Sequence, residues 1–305
     1  MEQLPSKQWV NGSNPLGSVL ISSDMHFILN LFIWIRKNFI RILMREYPNK
    51  LLTSSVVSQN SSKKYNLVSS SDNFWVSQNM YKKWDFYSKT KDLNLYLYSN
   101  YDVNSFMKNN FKDDLIYEIY LKSYIPVQKI DIFRICFILK YGGIWLDLKS
   151  EINIMKTLNL FKNCGSNGIL LCEDRKIDVI NDINGNKLKS HEKVIHNGFF
   201  FLPKNSIYLK NIIEKIKNDF LYFQDVRFFN PKQAIMNLTG PHQFTRSYYD
   251  LEIKNRPKLV FKNDIDWIYC SKFGEFISPF KKPKHYSFLK NLKTIDSNKF
   301  YNLKT

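Results

Sequence analysis

The sequence predicts an α/β domain with a mostly parallel β-sheet flanked by helices, and two observations support this class. Apolar runs with strand and helix periodicities alternate along the chain from residue 93 onward, which is typical of βαβ units. In addition, Gly142-Gly143 separates a helical pattern from a short strand pattern. In such sheets ligands bind at the carboxyl ends of the strands, so the sequence also predicts where a site should lie.

The individual elements follow from local periodicity and from turn residues. Strands are expected where apolar, β-branched and aromatic residues cluster, and helices where apolar residues recur three and four apart. The expected strands are 93–97, 144–149, 168–171, 259–261 and 267–269, and the expected helices are 104–109, 113–122, 131–139 and 205–223. Within the polar stretch 173–196, Asn184-Gly185 predicts a hairpin turn.

One block, residues 131–151, carries most of the chemistry. Its helical part places Asp131 and Arg134 on one face, three residues apart. After the two glycines the pattern has period two, which predicts that Asp147, Lys149 and Glu151 project from one side of a strand. Two charged faces are therefore expected to converge across one tight turn.

This convergence suits a small ligand rich in phosphate and hydroxyl groups. Asp131 can bind a sugar hydroxyl, Arg134 can bind an oxyanion with two parallel hydrogen bonds, and Asp147 can hold a divalent cation against a diphosphate. The alternative is that Asp131 caps the helix and pairs with Arg134 on its surface, an arrangement worth a few tenths of a kcal/mol. Both interpretations stay open at the level of these residues.

The block resembles the donor-site signature of glycosyltransferase family 32, a sugar-binding "DXD" group that includes yeast-type initiating mannosyltransferases and capsular polysaccharide enzymes. In that group a helix with an Asp, and an Arg three residues later, runs into Tyr-Gly-Gly and then an Asp-x-Asp pair. The matching residues are Asp131, Arg134, Tyr141, Gly142, Gly143 and Asp147. The resemblance implies a GT-A-like, Rossmann-like fold and donor binding by the first five, with Asp147 in the catalytic centre.

Weaker similarities extend over roughly residues 80 to 290. Asn197 resembles an Asn that the family places near the donor sugar, and the Thr-Gly-Pro-His sequence 239–242 resembles a family turn. His285 stands where a near-terminal His often occurs. The resemblance implies that Asn197 binds the donor and that His285 is a metal ligand, whereas a purely structural role stays open for His242 and His285.

Two departures from the family pattern matter. The opening strand of the family is not recognisable, since neither 48–52 nor 74–76 fits it, and the loop that would bind the nucleobase is unplaced. The second acid of the metal-binding pair is replaced by Lys149. A nearby ammonium group repels a divalent cation, so two aspartates cannot bind a metal here in the family's way.

Three outcomes remain for the lysine. Glu151 can supply the missing carboxylate, the Lys149 ammonium can itself neutralise the diphosphate leaving group, or the protein has kept the fold and lost activity. We expect a working enzyme with Asp147, Lys149 and Glu151 as catalytic residues. Mn²⁺ or Mg²⁺ would be held by Asp147, Glu151 and His285, with reduced metal dependence because of Lys149.

The resemblance implies transfer of a sugar from a UDP- or GDP-sugar to the hydroxyl of a glycan, lipid or protein acceptor, with retention of anomeric configuration. The expected pathway is glycan or glycoconjugate synthesis. A more distant alternative is a basic nucleic-acid-binding protein, since 45 Lys and Arg against 27 Asp and Glu give a net charge of +18. We expect no nucleic acid partner, because the basic residues are dispersed and the densest group, 281–284, is short.

Length and composition favour a folded domain over disorder, with 305 residues and 44% hydrophobic residues. The expected organisation is a mobile tail at 1–24, a basic amphipathic helix at 25–47 and a catalytic domain at 48–305, in which 53–79 form a linker or loop. The apolar part of the helix is too short to span a bilayer, so peripheral membrane contact through 25–45 and docking on protein both stay open.

Four cysteines, Cys136, Cys164, Cys172 and Cys270, show neither a paired metal-binding spacing nor the density of a disulfide framework. This pattern is compatible with a cytoplasmic protein, either free or attached peripherally to a membrane. A secretory-pathway lumen stays open as the alternative.

Overall fold

A six-stranded β-sheet with helices on both faces lies at the centre of the computed structural model. The structure describes residues 50–51, 64–71, 75–76, 78–164, 166–180, 188–269 and 289–297, all within the unit Glu46–Thr305. The predicted tail and amphipathic helix, the Asn184-Gly185 turn and His285 lie outside the described residues, so those predictions stay predictions.

The described elements are named in chain order. The strands are β1 (Lys50–Leu51), β2 (Tyr65–Ser70), β3 (Trp75–Val76), β4 (Leu93–Tyr98), β5 (Gly143–Leu146), β6 (Ser150–Glu151), β7 (Ile169–Ile180), β8 (Leu188–Leu202), β9 (Arg227–Phe228), β10 (Lys258–Val260), β11 (Ile268–Tyr269) and β12 (Leu292–Lys293). The helices are α1 (Gln78–Lys89), α2 (Asn100–Phe111), α3 (Leu115–Lys122), α4 (Pro126–Tyr141), α5 (Ile154–Lys162), α6 (Ile207–Phe223), α7 (Pro231–Leu238) and α8 (Pro241–Asp250).

The strand order in the central sheet is β10-β7-β8-β5-β2-β4. β8 runs antiparallel to its neighbours β7 and β5, and the other adjacent pairs are parallel. The predicted α/β class with a mostly parallel, helix-flanked sheet is confirmed. Within the described ranges, no helix combines the length and the apolar character needed to cross a membrane.

Two buried cores cover the two faces of the sheet, and β5 shows why. All four residues of β5 are buried, and they alternate between the faces. Trp145 packs with α2, α3, α4 and α6 in one core, whereas Ile144 and Leu146 pack with α1 and α5 in the other. A strand buried on both sides reads as a continuous apolar run, and Gly-Ile-Trp-Leu of β5 is such a run.

The central strand β2 was not predicted, and the assignment of residues 53–79 to a linker or loop is wrong for this stretch. Tyr65, Leu67 and Val68 are buried between neighbours β4 and β5. Polar residues interrupt the pattern, and Ser69 is itself fully buried. A central strand that ends in serines reads from the sequence like a turn-rich loop, because serine is depleted in strands and common in turns.

Helix boundaries differ from the predictions mainly at the amino ends. α2 begins four residues earlier than expected, because Ser99 and Asp102 form a reciprocal capping box. α4 begins at Pro126, which is tolerated in the first turn of a helix because its missing N–H has no intrahelical partner there. The signature helix is therefore longer than the 131–139 that periodicity predicted.

The predicted strand 144–149 ends at Leu146, and this changes the geometry of the acidic residues. The chain turns over Asp147–Ser150, where the Ser150 amide donates to the Asp147 carbonyl at 2.8 Å. β6 then pairs with β11 and not with the central sheet. The expectation that Asp147, Lys149 and Glu151 share one face of a continuous strand is wrong, because a turn interrupts the two-residue period.

Gly143→Ala is expected to lower the free energy of unfolding by at least about 2 kcal/mol. Gly143 has φ +119°, and a Cβ there would lie 2.4 Å from the Asn66 carbonyl oxygen of β2. Urea denaturation measures the effect. Gly198→Ala is the matched control, since its Cβ would approach only the Asp147 side chain. Equal losses in the two variants would contradict this account of the β2–β5 contact.

Candidate functional site

The candidate site lies where β5 ends and the first half of α4 packs on the sheet. Asp147 follows β5 directly, and its amide donates to the Gly198 carbonyl of β8 at 2.9 Å. Asp131 and Arg134 project from α4 toward the same place, and Asn197 precedes Gly198 on β8. The structure therefore brings together residues from three elements at the carboxyl end of a central strand.

Arg134 joins the members of this cluster. Its Nη1 atom lies 3.3 Å from Asp147 Oδ1 and 2.5 Å from the backbone oxygen of Asn197. Its Nη2 atom lies 3.2 Å from Asp131 Oδ1. The guanidinium carbon lies 4.7 Å from the centre of the Trp145 ring. Only 5% of the Arg134 side chain is exposed, so this cation acts inside the protein.

Asp131 is buried beneath the site and is hydrogen-bonded through both oxygens. Oδ1 accepts from Asn197 Nδ2 at 2.9 Å, and Oδ2 accepts from Thr239 Oγ1 at 3.1 Å. Burial raises the pKa of Asp131 to about 7, while Arg134 and Thr239 oppose the rise and the Asp147 charge adds to it. The alternative of an ordinary ion pair on a helix surface does not hold, because both residues are buried.

Asp147 is the accessible acid of the cluster. One-third of its side chain is exposed, against 4% for Asp131. Trp145 Nε1 donates to Asp147 Oδ1 at 2.8 Å, so this oxygen is held on the same side as Arg134. The carboxylate is thus fixed in orientation and still open to a ligand.

Tyr141, Gly142 and Gly143 lie apart from these residues, at the amino end of β5. The four residues of β5 place about 13 Å of strand between Gly143 and Asp147. Gly142 ends α4 with φ 68°, and the Tyr141 ring packs beside Phe137 at 5.2 Å between centroids. Their position does not support the predicted donor contacts and indicates a structural role.

Glu151 and Lys149 also have specific places. Glu151 Oε2 lies 3.2 Å from Nζ of Lys83 on α1, which packs on the sheet face opposite α4. Lys149 is half-buried in the turn that follows Asp147. Because the turn reverses the chain, Glu151 is directed to a lysine on another helix and not to the Asp147 cluster.

The described oxygen donors are a poor fit for the divalent cation that an Asp-x-Asp pattern implies. The Asp147 carboxylate already accepts from Trp145 and faces Arg134, and Glu151 is paired with Lys83. No group of three or more His, Cys, Asp or Glu residues suited to a metal occurs in the described part of the chain. The predicted ligand His285 lies outside that part.

Three residues of the site were not predicted as such: Trp145, Gly198 and Thr239. Trp145 precedes Asp147 by two residues, so period two alone places both on one face. Gly198 lies so close to the site that a Cβ would be 2.9 Å from Asp147 Oδ2. Thr239 belongs to the Thr-Gly-Pro-His sequence, whose resemblance to a family turn implies no role for the hydroxyl.

His242, at the end of that sequence, belongs to the core and not to the site. It is buried, and its Nδ1 lies 3.3 Å from Asn237 Oδ1. Burial lowers the pKa of His242 to about 4, and the charge of Arg175 adds to the effect. The structural role left open for His242 is the one that its surroundings support.

Four of the nine buried side-chain polar atoms that lack a hydrogen-bond partner in the described protein lie around the same edge of the sheet. They include the Ser69 and Ser70 hydroxyls at the end of β2, the Ser150 hydroxyl and Nε of Arg134. β2 is the direct neighbour of β5, with Val68 opposite Trp145. Unsatisfied buried polar groups are costly, so their grouping at one edge is what a polar ligand site would need.

Asp131→Asn is expected to flatten the pH dependence of stability. The folded-state pKa, about 7, exceeds the ordinary value of 3.8. Protonated Asp131 therefore stabilises the folded protein fully below pH 4. This contribution to the free energy of unfolding, about 4 kcal/mol, is lost as the pH rises from 4 through 7. Urea denaturation at pH 4.5 and pH 8 measures the slope, with the exposed Asp174→Asn as control. An unchanged slope in Asp131→Asn would count against the burial argument.

Comparison with known proteins adds a family match. Residues 49–159 match the model of the family described as "Glycosyltransferase sugar-binding region containing DXD motif". The match covers a little over a third of the chain and includes Asp131, Arg134 and Asp147, but neither Asn197 nor Thr239. It also includes β2, the strand that the sequence pattern did not reveal. This region of the chain is therefore similar to the sugar-binding region of DXD-motif glycosyltransferases.

One solved structure with similarity is titled "PaToxG Glycosyltransferase". It aligns with 73% of this chain and 78% of that chain, at 12% sequence identity and a TM-score of 0.33. A likeness at this level does not by itself establish a shared activity. The comparison with curated proteins gives no match.

Proposed function

We propose that this protein is a glycosyltransferase that uses a nucleotide-sugar donor bound at the carboxyl ends of β2 and β5. The observation that carries the proposal is the single bonded cluster of Asp131, Arg134, Asp147 and Asn197. Three of its four members lie in the region that matches the glycosyltransferase family. The cluster occupies the edge of the sheet where α/β proteins bind ligands.

Within this proposal the residues of the cluster divide into two layers. Asp147 and Asn197 are partly exposed and are suited to accept or donate hydrogen bonds to donor hydroxyls. Asp131 and Arg134 are buried behind them, and we assign them as positioning residues that hold the outer pair in place. This assignment revises the expectation that Asp131 and Arg134 contact the donor directly.

The reaction would be displacement at the anomeric carbon. The acceptor hydroxyl oxygen forms the new bond, the bond from the anomeric carbon to the diphosphate oxygen breaks, and the hydroxyl proton is released. The nucleoside diphosphate leaves with added negative charge, and fixed positive charge near Lys149 and Arg134 would stabilise that charge. Retention of configuration is proposed from the family resemblance, as is a glycan, lipid or protein acceptor.

Calorimetric and thermal-shift titration of the full chain with UDP, GDP, UDP-sugars and GDP-sugars tests the proposal. We expect one nucleoside diphosphate to stabilise the protein by about 2.7 kcal/mol at a hundredfold excess over Kd. Uridine and guanosine, which lack the diphosphate, are the matched controls and should not bind. No stabilisation by any of these compounds overturns the proposal.

Release of nucleoside diphosphate from the bound sugar distinguishes an active enzyme from an inactive relative. A coupled assay for UDP or GDP, with and without candidate acceptors, measures this release. Tight donor binding without any turnover would favour a protein that kept the fold and the donor site and lost the chemistry.

A further inference from the structure

We infer that the site balances the negative charge of a bound diphosphate with the protein's own cations, Lys149 above all, and does not require a divalent metal ion. This inference rests on the proposed function, because it concerns how the same site would bind its donor.

The charges around Asp147 are balanced without an ion. The acids are Asp131, Asp147 and Glu151, and each has a basic residue in contact or in the same turn. The bases are Lys83, Arg134 and Lys149. An acid at position 149, as in an Asp-x-Asp pair, would shift the balance by two negative charges. With Lys149 the metal-free site therefore has the same net charge as an Asp-x-Asp site that has bound a divalent cation.

Several of the carboxylate oxygens that a cation would need already have a partner. Asp147 Oδ1 accepts from Trp145 Nε1 and faces Arg134, and both oxygens of Asp131 are bonded within the buried cluster. Glu151 is held by Lys83 on α1. A divalent ion would have to displace these donors, and the positive charge of Lys149 would repel it. Both effects disfavour its binding.

The backbone around Lys149 is fixed, which suits a residue that binds a defined anion. The turn over Asp147–Ser150 is closed by the Ser150 amide at 2.8 Å from the Asp147 carbonyl, and Asp147 is anchored to Gly198 at 2.9 Å. The turn lies next to the end of β2, where the Ser69 and Ser70 hydroxyls have no partner in the described protein. A lysine on such a turn can form charge-assisted hydrogen bonds to phosphate oxygens.

Isothermal titration of the full chain with inorganic pyrophosphate, UDP and GDP tests this inference. Each probe is titrated in EDTA, and again as its Mn²⁺ complex in MnCl₂. We expect each probe that binds in MnCl₂ to bind in EDTA as well, and its Kd values in the two buffers to agree within about twofold. Lys149→Asp should weaken binding in EDTA at least about tenfold and make it Mn²⁺-dependent.

Two further variants keep the test interpretable. Lys149→Met removes the charge without adding an acid and should weaken binding in both buffers about tenfold. Lys162→Asp makes the same charge change at an exposed lysine at the end of α5 and should leave every Kd unchanged. Thermal unfolding of each variant without ligand separates loss of binding from loss of fold.

The outcomes separate this inference from the proposed function. Binding that occurs only with Mn²⁺, or a Lys149→Met variant that binds as well as the wild type in EDTA, overturns the inference and leaves the donor site standing. Failure of all probes to bind in either buffer overturns both. Binding in EDTA that becomes Mn²⁺-dependent in Lys149→Asp supports it.

Discussion

Arg134→Met is expected to lower the free energy of unfolding by roughly 3 to 5 kcal/mol at pH 8, the largest effect predicted for this protein. The guanidinium contacts Asp131, Asp147 and the Asn197 carbonyl, and both Asp131 and Arg134 are buried. Its removal leaves a buried carboxylate without its cation. Nucleoside diphosphate binding should also be lost, because Arg134 no longer holds Asp147 and Asn197 in position.

The loss should be smaller at pH 5 than at pH 8. Asp131 has a pKa of about 7, so at pH 5 it is protonated in the folded protein and needs no cation. Urea denaturation of the variant and the wild type at both pH values measures this difference. Equal losses at pH 5 and pH 8 would show that Arg134 does not stabilise the protein through the charge of Asp131.

Arg246→Met is the matched control for Arg134→Met. Arg246 is also a buried arginine in contact with an acid, Asp219, but it lies outside the site, on α8 facing α6. Both variants should lose stability, whereas only Arg134→Met should lose binding at a temperature where both are folded. The double variant Asp131→Asn/Arg134→Met should lose less than the sum of the single variants, since it leaves no buried unpaired charge.

Asp147→Asn is expected to reduce donor binding or turnover by roughly tenfold to a hundredfold, the second largest effect. A charge-assisted hydrogen bond from a donor hydroxyl to a carboxylate is worth about 1.5 to 3 kcal/mol, which an amide does not replace. The free energy of unfolding should change by less than about 1 kcal/mol, because the side chain is one-third exposed. Calorimetric Kd values and kcat/KM report the change.

Gly198→Ala gives an independent test of the same carboxylate. Its Cβ would lie 2.9 Å from Asp147 Oδ2, so the carboxylate must shift while its charge is kept. Binding should weaken in this variant as well. Asp174→Asn, an exposed acid on β7 paired with Lys193, should behave as the wild type. Full binding by both Asp147→Asn and Gly198→Ala would remove Asp147 from the proposed site.

Local sequence patterns predicted the elements in which residue polarity follows the period of a helix or a strand. The helix around Asp131 and the strand β5 were recognisable because each has an uninterrupted period and the glycines between them mark the break. β2 was not recognisable, because its serines are buried by packing against other parts of the fold. The interruption of period two at the Asp147–Ser150 turn was also invisible, because a turn closed by a backbone hydrogen bond leaves no strong mark in Asp-Leu-Lys-Ser.

The sequence by itself determined the fold class and the helix–glycine–strand order, because spacing within twenty residues is a local property, and its family resemblance marked Asp131, Arg134 and Asp147 as a group. The resemblance also named Asn197 as a donor residue, but only the tertiary structure decided that Asn197 and Thr239, 66 and 108 residues from Asp131, are hydrogen-bonded to it. It also decided that Tyr141, Gly142 and Gly143 lie at the far end of β5 and that Glu151 pairs with Lys83. The physical reason is that such contacts depend on how strands and helices pack together, and no local period records that packing.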